Sequence, residues 1–193
     1  MKILCFGDSN TYGWDPRSYL GGRYDEHTRW PGLLAAEAGL EVVECGENGR
    51  CIPHREYQLR NAARELTRHG EVDIIIIMLG GNDLLTEPDF CAEDVAERME
   101  DFLLYLRTLP ELVGTRLTLV APPPMAPGEW TAEPRLLSES ARLPGQYREL
   151  AGRVGADWLE APEGPGVLDY DGVHLTARGH RELYEAVRKY AAE

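Results

Sequence analysis

Strand-like and helix-like segments alternate along the whole chain, and this alternation restricts the possible folds more than any other feature. Continuous apolar runs, such as Ile3 to Phe6 and Ile74 to Leu79 with its four consecutive isoleucines, are typical of strands buried on both faces of a sheet. Segments with apolar residues at helical spacing separate these runs. The pattern therefore predicts an α/β fold in which helices cover both faces of a parallel sheet.

The predicted elements follow one another from residue 2 to the last helix. Five strands are predicted, at residues 2–6, 41–45, 72–79, 116–121 and 156–159. Helices are predicted at residues 30–38, 54–69, 95–106 and 146–154, followed by a last helix that Thr176 caps. We expect a single domain over residues 1–193, built on one five-stranded parallel sheet.

Residues 122–145 interrupt this alternation. The segment contains many of the chain's prolines, namely Pro122, Pro123, Pro124, Pro127, Pro134 and Pro144. Because proline lacks a backbone N–H and clashes with the preceding helical turn, we expect no continuous helix here. The segment is predicted to be an ordered surface excursion or lid, and it is a candidate contact surface for a homo-oligomer.

Charge and hydropathy exclude several classes of partner. The 193 residues include 20 basic and 33 acidic side chains, which gives a net charge of −13. Such a chain repels polyphosphate and anionic lipid, so we expect neither a nucleic acid nor a membrane surface as partner. The longest apolar run, Ile74 to Leu79, is far shorter than the roughly 20 residues that cross a bilayer. The first six residues are too short for a secretory signal, and we expect a cytoplasmic protein.

The four cysteines, Cys5, Cys45, Cys51 and Cys91, are expected to be free thiols. A domain of this length does not need disulfides to fold, and three of the four lie in or beside predicted core elements. None of them shows Cys-x-x-Cys spacing. We therefore expect no metal site, and the chemistry described next requires no cofactor.

Polar loops follow the predicted strands at one edge of the sheet. Gly7-Asp8-Ser9-Asn10 follows the first strand, Gly46-Glu47-Asn48-Gly49-Arg50 the second, and Gly80-Gly81-Asn82-Asp83 the third. Asp171-Gly172-Val173-His174 precedes the last helix. Ligands of open parallel sheets bind outside the carboxyl ends of the strands, so these four loops are predicted to line one crevice.

These loops contain the groups that acyl transfer requires. Ser9 leaves a buried strand through a tight turn, and a serine hydroxyl becomes a useful nucleophile only beside a base. His174 is the only histidine with an aspartate, Asp171, three residues before it, a spacing that lets one short loop place both groups. The Asn82 amide and the N–H groups of Gly49 and Ser9 are candidate donors to an oxyanion.

Taken together, the four blocks resemble the signature blocks of the SGNH (GDSL-like) hydrolases, and the resemblance extends from residue 3 to about residue 180. It is nearest to the branch of bacterial arylesterases and related acyltransferase/perhydrolase enzymes, on Gly7-Asp8-Ser9-Asn10-Thr11-Tyr12-Gly13-Trp14, Arg29-Trp30 and Val120-Ala121-Pro122-Pro123-Pro124. The resemblance implies a three-layer α/β/α flavodoxin-like fold. It also implies roles for the site residues: Ser9 as nucleophile, His174 as base, Asp171 as its orienter, and Ser9, Gly49 and Asn82 as the oxyanion hole.

Two positions depart from the family's pattern. Asn10 stands where the broad family name has leucine, although asparagine is familiar in this branch. Cys51 and Ile52 follow the second block where threonines are expected, which bears on the substrate class and not on the reaction.

Several further residues receive expectations of their own. Asp8, Asn10 and Trp14 are predicted to contribute to substrate binding, while Asp8 is also expected, with Asp83, to brace loops as a hydrogen-bond acceptor and not to act as an acid or base. Three tryptophans are candidates either for an acyl or aryl pocket or for the core: Trp14, Trp30 and Trp130. His180, in the first turns of the last helix, is predicted to be solvated.

The predicted function is that of a serine esterase, which hydrolyses small or short-acyl esters through an acyl-enzyme on Ser9. Aryl and acetyl esters, including acetylated carbohydrate, are the expected substrates. Two alternatives remain open on the sequence. One is acyl transfer to an alcohol or peroxide at the same site, and the other is a small-ligand binding module in which Ser9 is not reactive.

Overall fold

A computed structural model describes residues 1–192 and shows five strands and seven α-helices in that range. The strands are β1 (Lys2–Gly7), β2 (Glu41–Gly46), β3 (Ile74–Met78), β4 (Arg116–Val120) and β5 (Asp157–Leu159). The helices are α1 (Ser9–Tyr12), α2 (Trp30–Ala35), α3 (Glu56–Thr67), α4 (Gly81–Thr86), α5 (Ala92–Arg107), α6 (Pro134–Val154) and α7 (Ala177–Ala191). The predicted strand order along the chain is confirmed, with shifts of one or two residues at the boundaries.

All five strands form one parallel sheet in the order β2-β1-β3-β4-β5. β1 and β3 lie at its centre, where Ile3 pairs with Ile74 and Gly7 with Met78. Every residue of β3 is buried, because helices cover both faces of the sheet and leave no position of this strand to solvent. The α/β class and the flavodoxin-like strand order are therefore confirmed.

The sheet separates two apolar clusters, and alternate residues of each central strand belong to one or the other. Leu4 and Phe6 of β1 pack into the larger cluster with α3, α5 and α6. Ile3 and Cys5 pack into the smaller cluster with α2 and α7. This alternation follows from the period of two in a strand, and it gives the predicted three-layer α/β/α arrangement.

The prediction for residues 122–145 is wrong over its second half. Helix α6 begins at Pro134 and continues through Pro144 to Val154, so the predicted short helix at 146–154 is only its end. Pro134 occupies the first turn, where a missing N–H costs nothing. Further along the helix, buried side chains recur at helical spacing: Leu136, Ser140, Leu143, Tyr147 and Leu150. Their burial against α5 outweighs the lost hydrogen bond at Pro144, and the apolar spacing was the available signal.

One further difference concerns the polar loops. The third block, predicted as a loop, is the start of helix α4, with Gly80 as its N-cap. No helix within residues 1–192 is long and apolar enough to cross a membrane.

Candidate active site

Ser9 and Asn82 lie at the point where the connections of the sheet change direction. Ser9 begins α1 directly after β1, and Asn82 lies in α4 directly after β3. From β1 the chain continues to β2 on one side, and from β3 it continues to β4 on the other. The crevice between the carboxyl ends of two such strands is the usual ligand site of a doubly wound sheet. The predicted convergence of these two blocks is observed.

The loop before α7 brings an imidazole to Ser9. His174 Nε2 lies 2.9 Å from Ser9 Oγ, although the two residues are 165 positions apart in the chain. His174 Nδ1 lies 2.6 Å from Asp171 Oδ2. A carboxylate only accepts hydrogen bonds, so Nδ1 carries the proton and Nε2 of the neutral ring accepts from the Ser9 hydroxyl. Hydroxyl, imidazole and carboxylate thus form one hydrogen-bonded chain.

The carboxylate of Asp171 is held in its ionised form. Its second oxygen, Oδ1, accepts the backbone N–H groups of Val173 and His174, both at 2.9 Å. Burial opposes ionisation, but these hydrogen bonds and the one from the His174 ring outweigh it and hold the pKa of Asp171 below its ordinary value. An anion at this place fixes the ring tautomer and stabilises a proton taken up at Nε2.

A second segment supports the Asp171–His174 loop from behind. The proline-rich segment, defined here as residues 122–131, pairs with this loop through Ala126 N–H to Gly172 C=O (3.0 Å) and Trp130 N–H to Asp171 C=O (3.0 Å). A Cβ atom on Gly128 would lie 2.3 Å from the Asp171 carbonyl carbon, so the two backbones are in direct contact. The sequence predicted an ordered proline-rich segment but not that it packs against the Asp171–His174 loop. Gly128, a glycine among prolines, was the signal of a close backbone approach.

Two tryptophans flank the imidazole. The Trp130 ring meets that of His174 edge-on at 5.0 Å between centroids, and the Trp14 ring lies at 6.3 Å. Trp130 is 51% exposed, so part of its surface is available to a ligand. Trp30, in contrast, is 1% exposed and belongs to the smaller core cluster. Of the three candidates, Trp14 and Trp130 lie at the crevice and Trp30 is a core residue.

The side-chain amide of Asn82 is oriented by two acceptors. Its Nδ2 lies 3.1 Å from the Arg50 carbonyl oxygen and 3.4 Å from Asp8 Oδ2. Gly49, one residue before Arg50, is exposed and has a φ of 73°. The loop after β2 therefore meets α4 through Asn82, as the sequence predicted.

Two buried carboxylates brace this end of the site. Asp8 Oδ1 caps α1 by accepting the Asn10 N–H at 2.9 Å, and burial raises the pKa of Asp8 to about 6. Asp83 accepts the Ile52 N–H at 3.0 Å and an N–H of Arg98 at 2.7 Å. Burial raises the pKa of Asp83 although these bonds lower it. Both carboxylates brace loops, as the sequence led us to expect.

Asn10 and His180 differ from their sequence predictions. Asn10 was assigned to substrate binding, but it is buried and its amide bonds to the backbone of residues 173 and 175. His180 was predicted to be solvated, which is wrong, because it is 0% exposed. Its Nδ1 lies 3.4 Å from the Trp30 N–H, and burial lowers the pKa of His180 to about 3. Its position on the inner face of α7, which packs against α2, explains the difference.

Two other polar clusters within residues 1–192 contain charged side chains that form ion pairs with one another. A cavity of about 320 Å³ borders Gly49 on the side of α3, and Ser9 and His174 are not among its lining residues. In its wall Arg50 pairs with Glu65 at 2.9 Å. Cys91, Glu93 and Glu139 bring three potential metal ligands together, but Arg142 pairs with both carboxylates. Neither cluster supplies a group to the hydrogen-bonded chain of Ser9.

Esterases are among the solved structures with the same architecture. The aryl esterase of M. smegmatis superposes with a TM-score of 0.84 at 27% identity, covering 99% of this chain and 98% of that one. A carbohydrate acetylesterase from Sinorhizobium meliloti gives the same values. A proposed arylesterase from Agrobacterium tumefaciens gives 0.85 at 30% identity, with 99% and 98% coverage. No curated protein sequence matches this chain significantly.

The fold and these neighbours together define a carboxylic ester hydrolase. The sequence pattern of the GDSL-like lipase/acylhydrolase family matches residues 5–182, which is nearly the whole chain. The chain belongs to this family, and the resemblance stated from its four blocks is confirmed.

Proposed function

We propose that the protein is a serine esterase that hydrolyses short-acyl esters through an acyl-enzyme on Ser9. The observation that carries this proposal is the contact of 2.9 Å between Ser9 Oγ and His174 Nε2, with Asp171 at 2.6 Å behind the ring. In this arrangement the base accepts the hydroxyl proton while the carboxylate stabilises the resulting imidazolium. Ser9 is thus the nucleophile, His174 the base and Asp171 its orienter.

The acylation step begins when Ser9 Oγ forms a bond to the carbonyl carbon of the ester and its proton passes to His174 Nε2. The carbonyl oxygen becomes an oxyanion. As the tetrahedral intermediate collapses, the bond to the alcohol oxygen breaks and the alcohol takes the proton from His174 Nε2. The acyl group remains on Ser9.

Three donors are proposed for the oxyanion: the N–H groups of Ser9 and Gly49 and the Asn82 amide. The Ser9 N–H is the first of α1, and the first N–H groups of a helix have no acceptor within it. The Asn82 amide makes its longer contact, 3.4 Å, with Asp8 Oδ2, and we propose that this is the contact an oxyanion replaces. Such donors act because they are already oriented when the charge develops.

Deacylation repeats these steps with water. His174 Nε2 takes a proton from a water molecule, whose oxygen bonds to the acyl carbon, and the same donors hold the second oxyanion. The bond to Ser9 Oγ then breaks, Ser9 recovers the proton from His174 and the carboxylic acid leaves. No step needs a metal or an organic cofactor.

The proposed substrates are aryl and acetyl esters, including acetylated carbohydrate. Support comes from the aryl esterase and carbohydrate acetylesterase among the structural neighbours. It also comes from the aromatic rings of Trp14 and Trp130, which offer flat apolar surfaces beside His174. Trp14 is therefore retained as a substrate-binding residue, and Trp130 joins it.

The test is Ser9→Ala, assayed with aryl esters of increasing acyl length. We expect kcat/KM to fall by about 10⁴-fold or more, because no other group can form the acyl-enzyme. Labelling by a fluorophosphonate should also be lost. Ser138→Ala is the matched control, since this exposed serine only bonds to the Arg135 carbonyl and should leave both readouts unchanged. A folded Ser9→Ala variant with normal hydrolysis would refute the proposal.

Acyl transfer to an alcohol is the second candidate. It is favoured by Trp130, whose ring covers one side of His174 and reduces the access of water there. Adding a primary alcohol to the assay in water would yield a new ester if transfer competes. Exclusive release of free acid would exclude transfer in favour of hydrolysis.

Three broader expectations stay proposals. They are a single domain over residues 1–193, assembly into a homo-oligomer, and a cytoplasmic location. The last is supported by the four cysteines, none of which forms a disulfide and two of which are fully buried.

A further inference from the structure

The side chain of Asn10 connects the two parts of the site. Its Nδ2 donates to the Val173 carbonyl at 3.1 Å, and its Oδ1 accepts the Leu175 N–H at 2.8 Å. These two backbone groups lie on either side of His174. The Asn10 side chain therefore holds the loop at the residues next to the imidazole, and not at a distant point.

Asn10 is itself rigidly placed. It is 5% exposed, its backbone N–H donates to Asp8 Oδ1 at 2.9 Å, and its carbonyl accepts the Trp30 indole N–H at 3.2 Å. Because Asn10 follows Ser9 in α1, whatever is fixed relative to Asn10 is also fixed relative to the Ser9 hydroxyl.

We propose that Asn10 is a positioning residue that holds His174 within hydrogen-bonding distance of Ser9. This inference rests on the proposed roles of Ser9 and His174 in ester hydrolysis. A displacement of about 1 Å between reacting groups lowers a rate by about 10²-fold, so a side chain that fixes this distance acts on the rate without touching the substrate. Asn10 thus has its function inside the protein, in place of the substrate contact that the sequence suggested.

The choice of residue supports this role. Asparagine carries an NH₂ group that donates and a carbonyl oxygen that accepts on one short side chain, and these match the C=O of Val173 and the N–H of Leu175. Leucine, which stands here in the broad family name, has the same number of heavy side-chain atoms and neither a donor nor an acceptor. In this chain it would leave the Val173 C=O and the buried Leu175 N–H without their partner.

The first experiment is Asn10→Leu, with Thr115→Val as the matched control. Thr115 donates its hydroxyl proton to the Val72 carbonyl in a buried bond of 2.9 Å, just before β4 and at the opposite edge of the sheet. Thr115→Val leaves the Val72 carbonyl unpaired, whereas Asn10→Leu leaves the Val173 carbonyl and the Leu175 N–H unpaired, so the control reports the effect of losing a buried hydrogen bond far from the site. We expect Asn10→Leu to lower kcat by about 10²-fold with KM within about threefold, and Thr115→Val to change neither. A crystal structure of Asn10→Leu should show a Ser9–His174 distance longer than 2.9 Å.

The second experiment is the pH profile of Asn10→Asp. Above the pKa of the introduced carboxyl, its oxygen repels the Val173 carbonyl; below that pKa, its O–H donates to the same carbonyl and restores the contact. Four titratable groups lie around this position: Asp8, Asp171, His174 and His180. All four groups are present in every variant, so comparing the activity ratio to wild type with the same ratio for Asn10→Leu isolates the effect of the new carboxyl. We expect this ratio to rise as the pH falls from about 8 to 5, whereas the ratio for Asn10→Leu stays constant.

The possible outcomes separate this inference from the proposed function. A higher KM with unchanged kcat in Asn10→Leu would return Asn10 to substrate binding and overturn the inference. An unchanged Ser9–His174 distance, or parallel pH ratios for the two variants, would overturn it as well. If the wild type neither hydrolyses esters nor labels at Ser9, the proposed function fails, and the distance in the Asn10→Leu structure still decides whether Asn10 positions His174.

Discussion

The two ends of the chain build their halves of the site in different ways. Ser9 is placed by local structure: it follows the central strand β1, and Asp8 caps the helix that Ser9 begins. His174 lies in an irregular loop outside the sheet. That loop takes its position from contacts with residues 122–131 and with Asn10. The proposed nucleophile is therefore fixed by the most deeply buried part of the fold, whereas the proposed base depends on hydrogen bonds within its own loop and on contacts with remote parts of the chain.

This comparison shows where the site is vulnerable. A change near Ser9 must disturb the core to move the hydroxyl, because β1 is buried on both faces. A change near His174 needs only to disturb a few loop contacts. The following predictions challenge each half in turn, starting with the largest expected effect.

Asp171→Asn tests the loop half of the site by replacing the carboxylate that bonds to His174 with a neutral amide. The amide can present its NH₂ to the ring and favour the wrong tautomer, so we expect kcat to fall by about 10³–10⁴-fold in a folded protein. Steady-state kinetics with an aryl acetate measures this. Asp169→Asn is the control within the same loop, because Asp169 pairs with Arg17 at 2.8 Å and is not bonded to His174 through its side chain. A loss below about tenfold in Asp171→Asn would mean that the carboxylate does not orient the base.

Asn82→Ala tests the half of the site that follows the strands of the sheet, where Asn82 lies in α4. Removing one oxyanion donor should lower kcat by about 10²–10³-fold while KM changes little, because the contact forms in the transition state. Asn61→Ala, on an exposed position of α3, should leave kcat unchanged. Equal losses in both variants, or a change confined to KM for Asn82→Ala, would contradict the assignment of Asn82 as an oxyanion donor.

Gly172→Ala tests the mechanical support of the loop. Gly172 has a φ of 80°, and a Cβ atom there would lie 2.1 Å from the Ala126 carbonyl oxygen. We expect kcat to fall by about 10–10²-fold and the free energy of unfolding by about 1–3 kcal/mol. Gly114→Ala separates strain from displacement, because Gly114 has a φ of 89° with nothing within 4 Å of its Cβ position. Gly114→Ala should destabilise the fold while kcat stays normal; a similar loss of kcat in both variants would refute a specific role for the proline-rich segment.

His180 supplies the smallest effect, on stability and not on turnover. Burial lowers its pKa from 6.5 to about 3 in the folded state, so the unfolded chain binds the proton more readily between these values. Above pH 6.5 the ring is neutral in both states and does not lower the free energy of unfolding. As the pH falls below 6.5 the unfolded chain takes up a proton that the folded protein cannot, so His180 lowers the free energy of unfolding by about 2 kcal/mol between pH 7 and pH 5. Asp8, whose folded-state pKa is raised to about 6, acts in the opposite direction.

Urea unfolding at pH 7 and pH 5 of the wild type and of His180→Gln separates these two contributions. Between pH 7 and pH 5 the change in the free energy of unfolding should be about 2 kcal/mol less favourable in the wild type than in His180→Gln, because the opposite contribution of Asp8 is present in both proteins. The same pH dependence in both proteins would show that His180 is not the group responsible.

The sequence predicted the parallel sheet correctly and misplaced the helix α6. Apolar runs such as Ile74–Met78 permit few alternatives, because a continuous apolar strand must be covered on both faces. Pro144 was given too much weight, since the free energy of packing Leu143 and Tyr147 exceeds the cost of one proline. His180 was misjudged because its polarity was given more weight than its spacing: it lies three and seven residues before Leu183 and Val187, on the buried face of α7.

For the site, the four sequence blocks singled out Ser9, Asp171, His174 and Asn82 as candidates, and the structure brings Ser9, Asp171 and His174 into one hydrogen-bonded chain. The candidates could be chosen from sequence because the chemistry of acyl transfer restricts which residue types can serve together. The sequence also determined the layer order, since hydrophobic periodicity is a local property. Only the tertiary structure decided how a serine at one end of the chain and a histidine at the other approach to 2.9 Å. That distance depends on Asn10, Trp30 and the proline-rich segment, and such contacts between remote parts of the chain leave no periodic pattern in any one of them.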